Sequence, residues 1–248
     1  MSERLVYAIG DIHGRADLLE ALVEKILNDA LIHQNRNGAE HPAEVVFIGD
    51  VIDRGPNTSA VLEFMTAIAE WPEIEPIFIL GNHEEMLLSF LKDPVRGKRW
   101  MRYGGYETLL SYNLALSGDV FEEDMLIRIA GELKQAMAVH LALLETFVPV
   151  HRNGNLYFVH AGANPAVSMD AQQQQDLVWG NDAFLRTPRR DGNWVIHGHT
   201  VVEKPSVKGG RIAIDTGAYL TGALTAVKVS ASEISFLTET GARGLDGP

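Results

Sequence analysis

One local pattern recurs along the chain: a short apolar run ends in glycine, and aspartate or asparagine follows. The runs at residues 5–9, 45–48 and 77–80 lead into Gly10-Asp11, Gly49-Asp50 and Gly81-Asn82, and a stretch of helical periodicity follows each. Short β-rich runs bounded by glycine are typical of buried strands. In layered folds of strands and helices, ligands gather where the carboxyl ends of strands open into loops. The pattern therefore predicts an α/β fold with a polar site at its strand ends.

The pattern returns in the second half of the chain. The runs at residues 156–159, 195–197 and 211–214 lead into His160, Gly198-His199 and Asp215. Further strands are predicted over residues 224–229 and 233–237, and amphipathic helices over 16–31, 58–70, 84–91 and 122–147, the last as one helix or two. Since neither a repeat nor a linker interrupts these elements, residues 1–248 are expected to form one domain.

Charge and cysteine content exclude several classes of protein. The chain has 21 Lys and Arg against 33 Asp and Glu, a net charge of −12, and no cysteine. An acidic chain lacks the basic footprint for sequence-independent binding to nucleic acids or to anionic membranes. Without a thiolate, a metal must be held by His, Asp, Glu or Asn. No apolar stretch reaches the length of a membrane span, so a cytoplasmic protein without nucleic-acid or membrane partners is predicted.

Five short strings contain residues that bind metals. They are Gly-Asp-Ile-His-Gly at residues 10–14, Gly-Asp-Val-Ile-Asp-Arg-Gly at 49–55, Gly-Asn-His-Glu at 81–84, His-Ala-Gly at 160–162 and Gly-His-Thr at 198–200. The candidate ligands are Asp11, His13, Asp50, Asn82, His160 and His199. Any one of these could instead be a helix cap or a turn residue. Five such strings after five predicted strands favour a metal site, and oxygen and imidazole ligands suit Mn, Fe, Zn or Mg.

These strings, in this order, resemble the signature of the calcineurin-like metallophosphoesterases. The forms at residues 49–55 and 81–84 are similar to the phosphoprotein phosphatase branch, especially bacterial serine/threonine phosphatases, and the symmetrical diadenosine tetraphosphatases belong to the same branch. The resemblance covers residues 5–229 and implies a four-layer αββα sandwich, with two mixed β-sheets flanked by helices. The tetraphosphatases commonly have Asp where this chain has Glu84, which favours the protein phosphatases.

The resemblance also implies roles for individual residues. Asp50 would bridge two divalent metal ions, of which manganese is the expected one. Asp11 and His13 would complete the first metal site, and Asn82, His160 and His199 the second. Among the catalytic residues, His83 would protonate the leaving group, Asp53 would orient His83, and Arg54 would bind a phosphate oxygen. Asn82 would also contact the substrate.

One departure from the branch concerns phosphate binding. A second phosphate-binding arginine usually follows a tryptophan in a Trp-x-Arg context, but here Trp179 precedes Gly180 and Asn181. Arg186 or Arg102 could replace it. The basic and aromatic stretch at residues 98–112 predicts either a substrate groove or an ordinary surface helix and turn.

Two residues toward the C-terminal end of the sequence could lie either at the metal site or behind it. His197 lies two residues before His199 and is expected to lie behind the ligands, although some metallophosphoesterases use a histidine pair near this point. Tyr219 is expected either to approach the metal site from a late loop or to pack in the interior.

Three functions fit these residues. The main prediction is a metal-dependent serine/threonine protein phosphatase, in which hydroxide attacks a phosphorylated protein or peptide directly. The alternative is hydrolysis of a dinucleoside polyphosphate, such as diadenosine tetraphosphate, or of another small phosphate ester. The third is a non-catalytic, metal-binding regulatory protein, but loss of catalysis usually removes ligands, and none of the six is missing here.

Overall fold

Two five-stranded sheets pack face to face. The computed structural model of the protein describes residues 4–37, 41–114 and 122–243. The first sheet has the order β10-β9-β1-β2-β3, built from β1 (Val6–Ile9), β2 (Ala43–Phe47), β3 (Ile74–Phe78), β9 (Ala223–Val229) and β10 (Ile234–Thr240). Strands β1, β2 and β3 are parallel, whereas β9 and β10 are antiparallel to their neighbours.

The second sheet has the order β4-β5-β6-β8-β7. Its strands are β4 (His151–Asn153), β5 (Leu156–Phe158), β6 (Trp194–His197), β7 (Ser206–Lys208) and β8 (Arg211–Ala213). The central strands β5, β6 and β8 are parallel, and the edge strands β4 and β7 are antiparallel. Both sheets are therefore mixed, as the resemblance implied.

Alternation along β1 shows how the layers form. Val6 and Ala8 point to the second sheet and join a fully buried cluster with Phe158 and Ile196. Tyr7 and Ile9 point the other way, into the core between the first sheet and its helices. Side chains of successive strand residues face opposite sides of a sheet, so a strand buried on both faces reads as one continuous apolar run.

Helices cover both outer faces. Most of them pack on the first sheet: α1 (Ala16–Asn37), α2 (Thr58–Ile68), α3 (Asn82–Lys92), α5 (Gly105–Ser111), α6 (Glu123–Ala136) and α7 (Ala138–Leu144). Shorter elements are α4 (Pro94–Gly97), α9 (Ala218–Thr221) and a 3₁₀ helix at Trp100–Tyr103. The second sheet is covered by α8 (Gln174–Trp179) and a 3₁₀ turn at Met169–Ala171. The predicted four layers are confirmed, with one thin helical layer.

The helices depart from the sequence prediction in two places. Helix α1 continues to Asn37, beyond the predicted end at residue 31. The stretch 122–147 forms two helices, because the backbone leaves helical geometry at Met137 (φ −106°). None of the helices in the described ranges is long and apolar enough to cross a membrane.

Glu44 on β2 joins the two sheets. Its carboxylate accepts hydrogen bonds from His151 Nε2 (3.0 Å) and Asn153 Nδ2 (2.9 Å) on β4, and the residue is only 6% exposed. Burial alone would raise the pKa of this carboxyl, but the hydrogen bonds from His151 and Asn153 hold it below its usual value. The charged form is therefore the one that stabilises the fold.

Replacing Glu44 by Gln is expected to lower the free energy of unfolding at pH 7 by about 1–3 kcal/mol, the cost of a lost buried charged partner. A carboxyl with a depressed folded-state pKa contributes stability above its unfolded pKa and loses it as the pH falls through the folded value. The difference from wild type should therefore shrink below pH 4.5, the ordinary value for this group. Urea unfolding at several pH values, with chelator present, measures it. Glu75→Gln, at the half-exposed neighbour that pairs with Arg4, is the control, and a pH-independent difference would contradict the assignment.

Candidate metal centre

The predicted site residues follow parallel strands of both sheets. Asp11 and His13 follow β1, Asp50 follows β2, Asn82 and His83 follow β3, and His160 and His199 follow β5 and β6. Since the carboxyl ends of parallel strands lie at one edge, the two stacked sheets bring all of these loops together. The structure thus gathers at one place residues that are up to 188 positions apart.

The backbone at this edge is strained. Six non-glycine residues of the described chain have positive φ, and five of them are predicted site residues: His13 (44°), Asp50 (49°), Asp53 (70°), Arg54 (67°) and His199 (62°). This region costs free energy for residues other than glycine and is retained where the surroundings fix it, often at functional sites. The clustering therefore supports a functional site here.

Asp50 lies at the centre of the site. Its Oδ1 accepts a hydrogen bond from the His83 backbone N–H (3.1 Å). Its Oδ2 lies 3.6 Å from His13 Nε2 and 3.3 Å from His160 Nε2. One carboxylate is thus placed between two imidazoles that come from different sheets.

Backbone carbonyls fix the tautomers of these two imidazoles. His13 Nδ1 lies 2.8 Å from the carbonyl of Ile52, and His160 Nδ1 lies 2.9 Å from that of Ile48. A carbonyl only accepts, so both Nδ1 atoms carry the proton, and in the neutral rings the Nε2 lone pairs face Asp50. Imidazoles that bind metals are commonly oriented by such a bond from the other ring nitrogen. Lone pairs and a carboxylate that converge in this way suit a cation.

A second convergence involves Asn82. Its Oδ1 lies 2.9 Å from both His160 Nε2 and His199 Nδ1, which are 3.2 Å apart. Ligand atoms of Asp50, His160 and His199 form one group within 4.8 Å, and those of His13, Asp50 and His83 form another. Asp50 is common to both, so the geometry fits two adjacent cations.

Asp11 is packed against the last histidine loop. Its carboxylate accepts the His199 backbone N–H at 3.2 and 3.1 Å. A Cβ on Gly198 would lie 1.9 Å from Asp11 Oδ1, so only glycine permits this approach. The loop and the carboxylate therefore fit together through Gly198.

Buried negative charge dominates the electrostatics. Asp11, Asp50 and Asp215 are each at most 3% exposed. Burial, followed by the charge of Asp215, raises the pKa of Asp11 well above its usual range. Burial opposes the charged form of His160, but the nearby Asp50 and Asp11 carboxylates raise its pKa to about 10. Such a field attracts cations, and the residues present fit divalent metals of the hard or borderline kind.

Asp215 is a site residue that the motifs did not single out. Burial, together with the charge of Asp50, raises its pKa to about 6, and its carboxylate accepts the Gly217 N–H at 2.8 Å. The signal was present in the sequence, since Asp215 directly follows the predicted strand at residues 211–214. It was missed because this aspartate belongs to none of the five strings.

Glu84 supports the loop that carries Asp50. Its fully buried carboxylate accepts the backbone N–H groups of Asp50 (2.9 Å), Val51 (2.9 Å), Ile52 (3.3 Å) and Gly81 (3.0 Å). These contacts are with loop backbone, so the choice of Glu over Asp bears on the position of the loop. The inference from Glu84 to a protein substrate therefore has no support in the geometry.

Shortening this side chain tests the point. Glu84→Asp is expected to lower the free energy of unfolding by about 1–3 kcal/mol, because buried amides lose their acceptor. Metal affinity should fall with it, while the ratio of activities on a dinucleotide and a phosphopeptide stays unchanged. Urea unfolding and parallel turnover measure both effects. A changed ratio in a variant of wild-type stability would restore a direct role in substrate choice.

His83 and Asp53 form a buried pair beside the metal residues. Asp53 Oδ2 lies 2.7 Å from His83 Nδ1, and Asp53 also accepts from Trp100 Nε1 (2.9 Å) and Thr108 Oγ1 (2.7 Å). Burial lowers the pKa of His83, but the charges of Asp50 and Asp53 outweigh it and leave the pKa raised. On the other side of the ring, Arg54 donates to His83 Nε2 (3.0 Å).

Some of the remaining predicted residues lie at the candidate site, and others lie away from it. Tyr219 lies at the site, because its ring is 4.8 Å from the Arg54 guanidinium carbon and 5.1 Å from the His13 ring. His197 is buried against Phe184 (4.9 Å), and its ring belongs to neither metal-ligand group of the described residues. Arg186 is exposed and donates to the Asp182 carbonyl of its own turn (3.0 Å). The segment 98–112 borders the site through Trp100 and Thr108.

Two stacked mixed sheets with buried carboxylates and imidazoles at their common edge match the metallophosphoesterase fold. The chain belongs to the calcineurin-like phosphoesterase family, whose model matches residues 5–203. Proteins of this family bind two divalent metal ions.

Two relatives carry the same name. The asymmetrical bis(5'-nucleosyl)-tetraphosphatase PrpE of Oceanobacillus iheyensis is 28% identical over 242 residues, which cover 91% of this chain and 88% of the relative. The enzyme of the same name from Bacillus subtilis is 29% identical over 238 residues, covering 88% and 87%. These names favour the alternative prediction over the serine/threonine phosphatase, although they are asymmetrical rather than symmetrical enzymes.

Solved structures show the same fold. A candidate diadenosine tetraphosphatase superposes with a TM-score of 0.60 at 19% identity, covering 98% of this chain and 95% of the other. A protein serine/threonine phosphatase from Saccharomyces cerevisiae gives 0.52 at 15% identity, covering 99% and 82%. Identities this low establish the fold and leave the substrate open.

Proposed function

We propose that the chain is a dinuclear metal-dependent hydrolase that cleaves bis(5'-nucleosyl) tetraphosphates asymmetrically. The observation that carries the proposal is the relationship to the PrpE proteins, which extends over about nine-tenths of both chains. The site is compatible with this chemistry but does not choose the substrate, since the same ligands and the same acid suit many phosphate esters.

Seven side chains are assigned roles in metal binding. Asp11, His13 and Asp50 would hold one divalent ion, and Asp50, Asn82, His160 and His199 the other, with Asp215 behind them. Manganese is the proposed metal. Two bound ions would lower the pKa of a water molecule and withdraw charge from the phosphate. Asn82 Oδ1, which faces two imidazole nitrogens, is proposed as a ligand, and its amide nitrogen would remain for a phosphate oxygen.

Two further residues act on the phosphate. Arg54 would release its hydrogen bond to His83 Nε2 and donate to a phosphate oxygen instead, because its guanidinium suits bidentate binding to phosphate. His83, oriented through Nδ1 by Asp53, would then face the departing group with Nε2. In the reaction, water oxygen forms a bond to one phosphorus as the bridging P–O bond breaks. A nucleoside triphosphate and a nucleoside monophosphate result, and the proton lost by water passes to solvent or to the leaving oxygen.

Product analysis tests the proposal. Protein stripped with chelator and reloaded with Mn²⁺ is incubated with diadenosine tetraphosphate, and the nucleotides are separated by chromatography. ATP and AMP in equal amounts, formed only by the reloaded protein, are expected. Two molecules of ADP would contradict asymmetrical cleavage, and no hydrolysis by a metal-loaded protein would contradict the function.

A further inference from the structure

Arg99 contacts two aromatic side chains, those of Trp179 and Tyr103. Its guanidinium carbon lies 5.0 Å from the centre of the Trp179 ring and 4.9 Å from that of Tyr103. A guanidinium over aromatic faces is held by cation–π attraction, which orients it without neutralising its charge.

Contacts on two sides tie the neighbours of Arg99 to residues of the candidate metal centre. The next residue, Trp100, donates to Asp53 (2.9 Å), and Gly104, after the 3₁₀ helix, accepts the Arg54 N–H (3.2 Å). On the other side, Trp179 Nε1 donates to Glu85, in the first turn of α3. The two aromatic partners of Arg99 are thus fastened to the helix that begins with Asn82 and His83 and to the loop of Arg54.

The charge of Arg99 is available to a ligand. The residue is exposed, and among the described residues it has no carboxylate within ion-pair distance. By contrast, Arg96 pairs with Asp93. Both carboxylate oxygens of the nearby Glu85 accept hydrogen bonds, one from Trp179 and one from Gln174. An oriented guanidinium without a counter-charge is the arrangement that binds phosphate.

We propose that Arg99 binds the phosphates of the substrate chain that do not react, beyond the phosphate bound by Arg54. This assignment rests on the proposed function, and it makes Arg99 a residue that selects a polyphosphate over a simple phosphate ester. Arg186, by contrast, donates to the Asp182 carbonyl of its own turn.

Inhibition by inorganic tripolyphosphate tests the proposal without requiring turnover of a dinucleotide. Hydrolysis of p-nitrophenyl phosphate is measured with orthophosphate or tripolyphosphate as the competitive inhibitor. Arg99→Ala is expected to raise the Ki of tripolyphosphate about tenfold, with kcat and the Ki of orthophosphate unchanged. Arg99→Lys should recover only part of the affinity, because an ammonium group lacks the planar fork. If the dinucleotide is the substrate, its KM rises by the same factor while kcat stays constant.

Controls distinguish the possible failures. Arg96→Ala, three residues earlier in the chain and 89% exposed at the side chain, and Arg186→Ala should leave both Ki values unchanged. Equal changes in the two Ki values, no change, or the effect appearing in Arg186→Ala would overturn the assignment. Tyr103→Leu, which keeps the charge and removes one aromatic contact, should give a smaller rise for tripolyphosphate. A wild type that binds tripolyphosphate through Arg99 but leaves the dinucleotide intact would refute the proposed function alone.

Discussion

Asp50→Asn is expected to reduce turnover of diadenosine tetraphosphate by roughly 10³-fold or more, on the scale known for losing a central electrostatic group of an active site. Asp50 Oδ2 is the carboxylate oxygen that faces both His13 and His160, so the amide would leave the two metal positions without a shared anion. Metal content should fall below two ions per chain. Kinetics with saturating Mn²⁺ and elemental analysis of the same sample measure the two effects.

A structural defect can be separated from this loss. Asn keeps an oxygen for the His83 N–H but removes the charge that stabilises the charged forms of His160 and His83, so the metal-free variant should still unfold cooperatively, at a lower urea concentration than metal-free wild type. Asp124→Asn, at an exposed position in the first turn of α6, is the control and should retain activity. Two ions per chain with near-normal turnover in Asp50→Asn would exclude the shared-ligand role.

The second large effect concerns His83. Replacing it by Asn should slow hydrolysis of phenyl phosphate by about 10²–10⁴-fold, the range of a lost general acid. The loss should be smaller for p-nitrophenyl phosphate and smallest for the dinucleotide. A nucleotide leaves as a phosphate whose relevant pKa is about 6, and such a group departs without a proton. A series of aryl phosphates gives the dependence of kcat/KM on leaving-group pKa, which should be flat for wild type and steep for the variant.

His140→Asn provides a matched comparison for His83. This histidine is also buried, and it bonds to Tyr112 and Glu63 away from the metal centre. Its loss is expected to lower stability and leave the leaving-group dependence flat. An equal loss on all substrates in His83→Asn, accompanied by a lower metal content, would instead make His83 a ligand beside His13 and Asp50.

Much of the fold was accessible from sequence because most of the strands that lead to the candidate site are buried on both faces. Such strands read as continuous apolar runs. The residues that follow their carboxyl ends, namely Asp11, Asp50, Asn82, His160 and His199, indicated the candidate site. Helix ends were less accessible. The break at Met137 interrupts an amphipathic pattern that continues on both sides, so periodicity alone could not locate it.

Contacts between distant loops could not be predicted. The role of Glu84 depends on the loop after β2 lying against the first turn of α3, and the role of Arg99 depends on where the chain places Trp179. Substrate identity was inaccessible for a different reason. The roles proposed for Asp50, His83 and Arg54 suit phosphate chemistry in general and do not choose a substrate. Glu84 led the sequence prediction to a protein phosphatase, whereas the relatives favour a dinucleotide hydrolase.

The ratio of kcat/KM for diadenosine tetraphosphate to that for a phosphothreonine peptide, measured with one Mn²⁺-loaded preparation, tests the central claim most directly. A strong preference for the dinucleotide, abolished by chelation and restored by metal, is the predicted result. A preference for the peptide would contradict the proposed function and would favour a serine/threonine protein phosphatase.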